Sequence, residues 1–299
     1  MRKQRIGVLG PGAVGGLLAA RLAHIGHDVT VLATEQTAAV IGARGLEFSA
    51  SPSTVIATWP RARAWLTDPV DALFITVKAT DLLTALPRAP AALLAGVPIV
   101  PLLNGIDHVP LLRLLYPASA VVPATISVET TRHRPGLVEQ LSAFADVEIA
   151  VAPPDTTTAL EVADLLAEAG LRVRAQDDET LVLWRKLAIL APFALLTTSA
   201  QVPLGAAQSR RPGLLHSLAV EAADAANAYG ADADAAGIEA RLARMPPQAQ
   251  SSMLKDLASG KPLELDAIAG PVIRALSAER APATSAAVAE ILDHAKLAT

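Results

Sequence analysis

The sequence contains no cysteine. Disulfides, thiolate nucleophiles and cysteine-ligated metals are therefore excluded. Aromatic residues make up 3% of the chain against 52% apolar residues overall, so any core must be built mainly from Ala, Leu and Val. That composition favours packed helices and parallel strands. No charge sign dominates: 25 Lys and Arg stand against 29 Asp and Glu, a net charge of −4. This argues against broad nucleic-acid or membrane-surface binding. The six histidines (His24, His27, His108, His133, His216 and His294) fall in no recognisable catalytic motif, and H-E-x-x-H is missing, so no metal is expected. "MRKQRIGVLG" has neither a long apolar run nor a cleavage-type site, which reads as no signal peptide and gives the cytoplasm as the expected location.

What is present is length and pattern. A chain of 299 residues has room for two domains. One stretch, Leu187 to Ala207, carries no charge at all. It is long enough to raise the question of a membrane span. Pro192, Ser199, Gln201, Pro203 and Gly205 interrupt it, and a buried core helix is the expectation. Arg185 and Lys186 stand at its mouth. A buried ammonium without a partner is costly, so Lys186 must be exposed, paired or chemically employed.

The clearest local signal is "RIGVLGPGAVGGLLAARLAHIGHDVTVLAT". Ile6, Val8 and Leu9 form a short apolar strand, followed at once by Gly10, Gly12 and Gly15 in G-x-G-x-x-G spacing. Val14, Leu17, Leu18, Leu22 and Ile25 then recur with helical spacing, and "DVTVLA" is a second strand. Gly10 allows a tight turn, Gly12 lets the backbone approach a pyrophosphate, and Gly15 lets helix pack on strand. The helix N-terminus meets the phosphate charge. Within strand, turn, helix and strand, this motif predicts dinucleotide binding by the loop Gly10, Pro11, Gly12, Ala13, Val14 and Gly15.

Alternation continues with "DALFITVKA" as a strand, "TDLLTALPRAPAALLAG" as a helix and "VPIVPLLNG" as a strand with its exit turn. "DVEIAVA", "DTTTALEVADLLAEAG" and "LRVRAQ" then read as strand, helix and strand. The prediction is a Rossmann-type, doubly wound parallel sheet over residues 1–176 and an all-α domain over 177–299. Ligands of such sheets lie beyond the carboxyl ends of the strands, which places Lys78 and Asn104, both at strand exits, near the cofactor.

Taken in order, the glycine motif, "TVKA", "LLNG", "LWRKL", "SSMLKD" and "LELDAIAG" resemble the ketopantoate reductase (2-dehydropantoate 2-reductase) family over essentially the whole chain. The resemblance implies NADPH-dependent reduction of a 2-oxo acid. By it, Lys186 is the catalytic lysine, Glu264 the acidic residue completing the site, Ser252 a substrate contact, and Asn104 a contact of cofactor and substrate. Lys186 could polarise a ketone and protonate the oxygen after hydride addition.

Two departures follow from the same resemblance. Where the family usually has an arginine after the second strand, this chain has Thr34, flanked by Ala33 and Glu35. NADP is still expected, with NAD possible. Positions that carry asparagines in the family are here Leu190, Ala194, Leu204 and Ala269. The expected substrate is a small 2-oxo acid or related carbonyl, more apolar than ketopantoate. The alternatives are a genuine 2-dehydropantoate 2-reductase and a catalytically silent nucleotide-binding sensor. Neither nucleic acid nor membrane is expected as a partner, and a homodimer is possible.

Overall fold

The computed structural model describes residues 2–50 and 54–297. In chain order, β1 (Arg5–Leu9), α1 (Ala13–His24), β2 (Asp28–Leu32), α2 (Glu35–Arg44), β3 (Leu46–Ala50), β4 (Thr54–Thr58), β5 (Arg61–Arg63), β6 (Ala72–Ile75), α3 (Leu82–Ala85), β7 (Ile99–Pro101) and α4 (His108–Leu115) come first. Then follow β8 (Ala124–Ser127), β9 (Thr130–Arg134), β10 (Leu137–Gln140), β11 (Asp146–Ala150), α5 (Thr156–Glu168) and β12 (Arg172–Gln176). The rest is helical: α6 (Glu179–Ala200), α7 (Leu204–Arg210), α8 (Leu214–Asn227), α9 (Ala235–Ala243), α10 (Ser252–Ala258), α11 (Leu265–Leu276) and α12 (Pro282–Leu297).

A five-stranded parallel sheet has the order β5-β2-β1-β6-β7. The central strand β1 is buried from Ile6 to Leu9, as a strand covered on both faces must be. The Rossmann-type sheet and the helical C-terminal part match the fold read from the sequence. That reading missed two things. A second, mixed sheet of order β4-β3-β10-β9 lies on the other side of α1. Its short strands carry few apolar alternations: β9 is "TTRHR" and β10 is "LVEQ". The strands β11 and β12 do pair in parallel, but in a separate three-stranded sheet with antiparallel β8, and an isolated bridge between Ile99 and Val121 ties the segment before β8 to β7.

The second sheet explains the composition of α1. A helix with a sheet on each side needs apolar and small residues all round. Gly15, Gly16, Leu17, Leu18, Ala19, Ala20 and Leu22 are all buried. A Cβ on Gly16 would stand 2.6 Å from Val138 Cγ2 of the second sheet.

The single helix expected from Thr80 to Gly96 does not form. That segment holds α3 and short 3-10 turns at Leu86–Arg88 and Ala91–Leu93. Pro87 and Pro90 remove two amide donors, and Ala89, before Pro90, leaves helical geometry at φ −123° and ψ +78°. This break leaves Arg88 at the end of a turn rather than on a helix face.

Packing divides the chain into two compact units, Met1–Leu103 with His108–Val182, and Asn104–Asp107 with Leu183–Thr299. The division falls inside α6, whose start is fixed by Asp178: its Oδ1 accepts the amides of Thr180 at 2.7 Å and Leu181 at 3.2 Å. By length and composition α6 could cross a membrane, yet 67% of its most apolar window is buried inside the protein. Within the second unit Trp184 stacks on Tyr229, with ring centroids 5.2 Å apart. The buried Glu221 carboxylate of α8 accepts the amides of Ala283 and Thr284, both at 2.7 Å, and so holds the start of α12.

Candidate active site

The glycine loop is shaped by what its residues lack. Gly10 has φ +92°, a conformation that L side chains rarely adopt, and a Cβ there would stand 2.5 Å from Val77. A Cβ on Gly15 would stand 2.2 Å from the Gly10 carbonyl and 2.3 Å from Thr76 Oγ1. Thr76 itself ties the loop down by donating to the carbonyls of Leu9 at 3.0 Å and Gly10 at 2.8 Å. Gly12 differs from both. A Cβ there would meet only the Gly10 carbonyl, at 3.9 Å. The space over Gly12 is open, and the first turn of α1, including the amides of Ala13 and Val14, has no side-chain cap. Open space beside uncapped helix amides fits a pyrophosphate.

Thr34, expected near the cofactor ribose, is the N-cap of α2: its Oγ1 accepts the Thr37 amide at 3.3 Å. Glu35 follows, and its carboxylate stands 3.4 Å from Arg88 Nη1. Lys78 is partly exposed at the exit of β6, in an extended conformation just before the 3-10 turn Ala79–Asp81.

The second cluster lies wholly within the helical unit. Lys186 Nζ donates to Asn104 Oδ1 at 3.0 Å. The other end of the same carboxamide, Asn104 Nδ2, donates to Glu264 Oε2 at 3.1 Å. The amide thus bridges an ammonium and a carboxylate, and only one orientation of it satisfies both. Asn104, expected with the nucleotide-binding half, packs with the helices instead. The reason is Gly105. It has φ +85°, and a Cβ there would stand 2.5 Å from the Ala267 carbonyl, so only glycine lets the turn lie against α11. Asp107 pairs with Arg274 of the same helix, and Arg274 also holds Asp266 at 2.9 Å. Glu264 is 5% exposed and stands at the N-cap of α11.

The remaining expected residues divide. Ser252 is exposed at the first position of α10. Its neighbour Ser251 is buried, caps α10 by accepting the Leu254 amide at 3.1 Å, and bonds Thr197 Oγ1 at 2.8 Å. Leu190, one turn after Lys186 on the same helix face, is half-buried. Ala194, Leu204 and Ala269 are packed in the helical core, at 0%, 2% and 1% exposure.

The family model described as ketopantoate reductase PanE/ApbA matches residues 6–154, and its C-terminal counterpart matches residues 178–296. The chain belongs to the ketopantoate reductase family. A 2-dehydropantoate 2-reductase of Mycobacterium tuberculosis (strain CDC 1551 / Oshkosh) is 31% identical over 275 residues, covering 90% of each chain. A PanE/ApbA family ketopantoate reductase from Ralstonia eutropha JMP134 superposes with TM-score 0.87 at 27% identity, over 98% of both chains. The same fold is shared, at TM-score 0.88 and 19% identity over 98% of both chains, by a D-mandelate dehydrogenase solved with NADH and anilino(oxo)acetate. The chain is thus an oxidoreductase of a family that works between CH–OH and C=O with a nicotinamide cofactor.

The protonation of Lys186 decides what the cluster can do. Burial pushes its ammonium down to about 8, while the Glu264 carboxylate pulls in the opposite direction. Desolvation wins. At pH 7 the group is still mostly protonated, and its proton leaves far more readily than from an ordinary lysine, whose pKa is roughly 10.4. Three of the six histidines serve elsewhere: His133 pairs with Glu139, His216 with Glu239, and His294 reaches the Ser199 carbonyl. Sequence reasoning missed the supports: Thr76 at the glycine loop and, in the helical unit, Gly105, Arg274 and the Ser251–Thr197 pair. Only Gly105 had a local signal, as the second residue of an Asn-Gly turn.

Proposed function

We propose that the protein reduces the carbonyl of a 2-oxo acid with NADPH, with Lys186 as proton donor, and that its preferred substrate is more apolar than ketopantoate. The observation that carries this reading is the chain Lys186–Asn104–Glu264. When bound, the cofactor supplies a hydride to the carbonyl carbon. Lys186 first polarises the carbonyl oxygen with its positive charge, then gives that oxygen its proton. Asn104 fixes the ammonium by accepting one of its hydrogens, which leaves the other two for substrate. Glu264 holds the amide in register and offsets part of the cost of burying the charge. An intact cluster with a lowered lysine pKa favours turnover over a silent sensor.

The substrate reading rests on the face of α6 that carries Lys186. Leu190 offers no hydrogen bond there, and the core packing of Ala194, Leu204 and Ala269 brings no amide to it. A hydroxyl placed against such a wall loses its partners, at roughly 1–3 kcal/mol for each group left unmet. Ser252, exposed, and Asn104 remain to hold the carboxylate end. A family fold that also serves a D-mandelate dehydrogenase supports an apolar tail. The reading places the protein in the cytoplasm, where NADPH is available. The test is kcat/KM for ketopantoate beside branched and aromatic 2-oxo acids, followed by nicotinamide absorbance. The apolar acids should lead; ketopantoate leading by tenfold or more would return the protein to pantoate synthesis.

A further inference from the structure

The end of β2 lacks the arginine that would face a 2′-phosphate, yet a guanidinium stands there. Arg88 comes from the broken segment after α3, some fifty residues further along the chain. Its Nη1 donates to the carbonyls of Ala33 and Ala64, both at 3.0 Å. Those carbonyls lie just beyond the carboxyl ends of the neighbouring strands β2 and β5. The guanidinium rests over the Trp65 ring, 5.5 Å from its centroid. Three anchors therefore fix it beside Thr34 and Glu35, where dinucleotide folds recognise the adenosine ribose.

Two features suit it to an anion. Nη1 carries all of its hydrogen bonds to the described residues, so Nη2 and Nε remain for a bidentate contact. Its side chain is 18% exposed and therefore reachable. Its one carboxylate partner among the described residues, Glu35, is 69% exposed, holds on at 3.4 Å, and is free to swing aside. Glu35 is kept ionised by its own backbone amide and by Arg88, which hold its carboxyl below the usual range.

We infer that Arg88 is the residue that selects NADPH, reading the 2′-phosphate in place of the missing arginine at position 34, and that Glu35 occupies the guanidinium when no phosphate is there. The inference rests on the NADPH reading above. A ribose with a free 2′-hydroxyl gains little from Arg88, whereas a phosphate displaces Glu35 and takes a charge-assisted pair.

The adenosine end can be tested without turnover. Adenosine 2′,5′-bisphosphate and AMP are titrated into the whole protein by calorimetry, for the wild type, Arg88→Gln, Arg88→Lys and Glu35→Gln, with Tm recorded for each. The wild type should bind the bisphosphate at least about tenfold more tightly than AMP. Arg88→Gln should abolish that preference with AMP affinity unchanged. Arg88→Lys should retain part of it, and Glu35→Gln should widen it severalfold. If Arg88 served only to tie β2 to β5, its loss would lower Tm and weaken both nucleotides alike, which would overturn the assignment. A wild-type preference that survives in Arg88→Gln would overturn it while leaving the NADPH reading in place. Equal binding of the two nucleotides by the wild type would overturn both.

Discussion

The glycine loop and the lysine cluster are built on opposite principles. At the loop, side chains are left out. Gly10 and Gly15 have no room for one, and Gly12 has room that a ligand needs. At the cluster, side chains from two distant helical segments must converge on the Asn104 carboxamide. A site made of backbone tolerates no additions, whereas a site made of side chains tolerates no deletions. That difference sets the order of the expected effects.

The largest effect belongs to the cluster. Lys186→Ala should lower turnover by roughly 10²–10⁴-fold, the usual contribution of a positioned acid, with cofactor affinity nearly unchanged. Stopped-flow reduction and a binding titration separate the two, and a loss below about tenfold would make Lys186 a bystander. Next comes Gly12→Val. The open space above Gly12 predicts a folded protein whose NADPH affinity drops by about tenfold or more, since the new side chain stands where the pyrophosphate goes. Unchanged affinity in a calorimetric titration would move the cofactor off this loop. Gly15→Ala sharpens the contrast. Its Cβ would collide with the Gly10 carbonyl, so the loss should appear as stability, roughly 1–3 kcal/mol by denaturant unfolding. A stable Gly15→Ala protein would show that the loop is looser than described.

The smallest effect concerns the supports. Arg274→Ala removes the clamp from α11 to Asp107, an exposed pair worth about 0–1 kcal/mol. It should leave Tm within a few degrees and lower kcat by severalfold, because Asn104 loses its fixed register. A change in Tm with no change in kcat would make the clamp purely structural.

The same contrast explains what could be read in advance. The loop is local: three glycines in a fixed spacing between a strand and a helix state their own purpose. The helical C-terminal part was legible too, and every element from α6 to α12 is a helix. The cluster was legible only through the order of short motifs along the whole chain. Nothing near Asn104 says that it will leave the parallel sheet for the helices, because that depends on Gly105 meeting the Ala267 carbonyl far along the sequence. Arg88 was invisible for the same reason. Its segment looks helical until Pro87 and Pro90 break it, and its partners at β2 and β5 are distant in sequence. The second sheet escaped notice because its strands are short and polar, with their pairing set by α1 beneath them.

The account turns on one proton. Lys186 is held near 8 by burial, and Glu264 pulls that value upward. The proposed mechanism requires the acid form for reduction, so kcat/KM should be level below pH 8 and fall as pH rises through it. Removing the carboxylate charge removes the upward pull, so Glu264→Gln should move the falling limb to lower pH. The decisive measurement is therefore the pH profile of reduction in the wild type and Glu264→Gln, at saturating NADPH. A limb near pH 8 that shifts downward in the variant is the predicted result. A wild-type rate that stays flat from pH 7 to about 10, the range an ordinary lysine would allow, would contradict it.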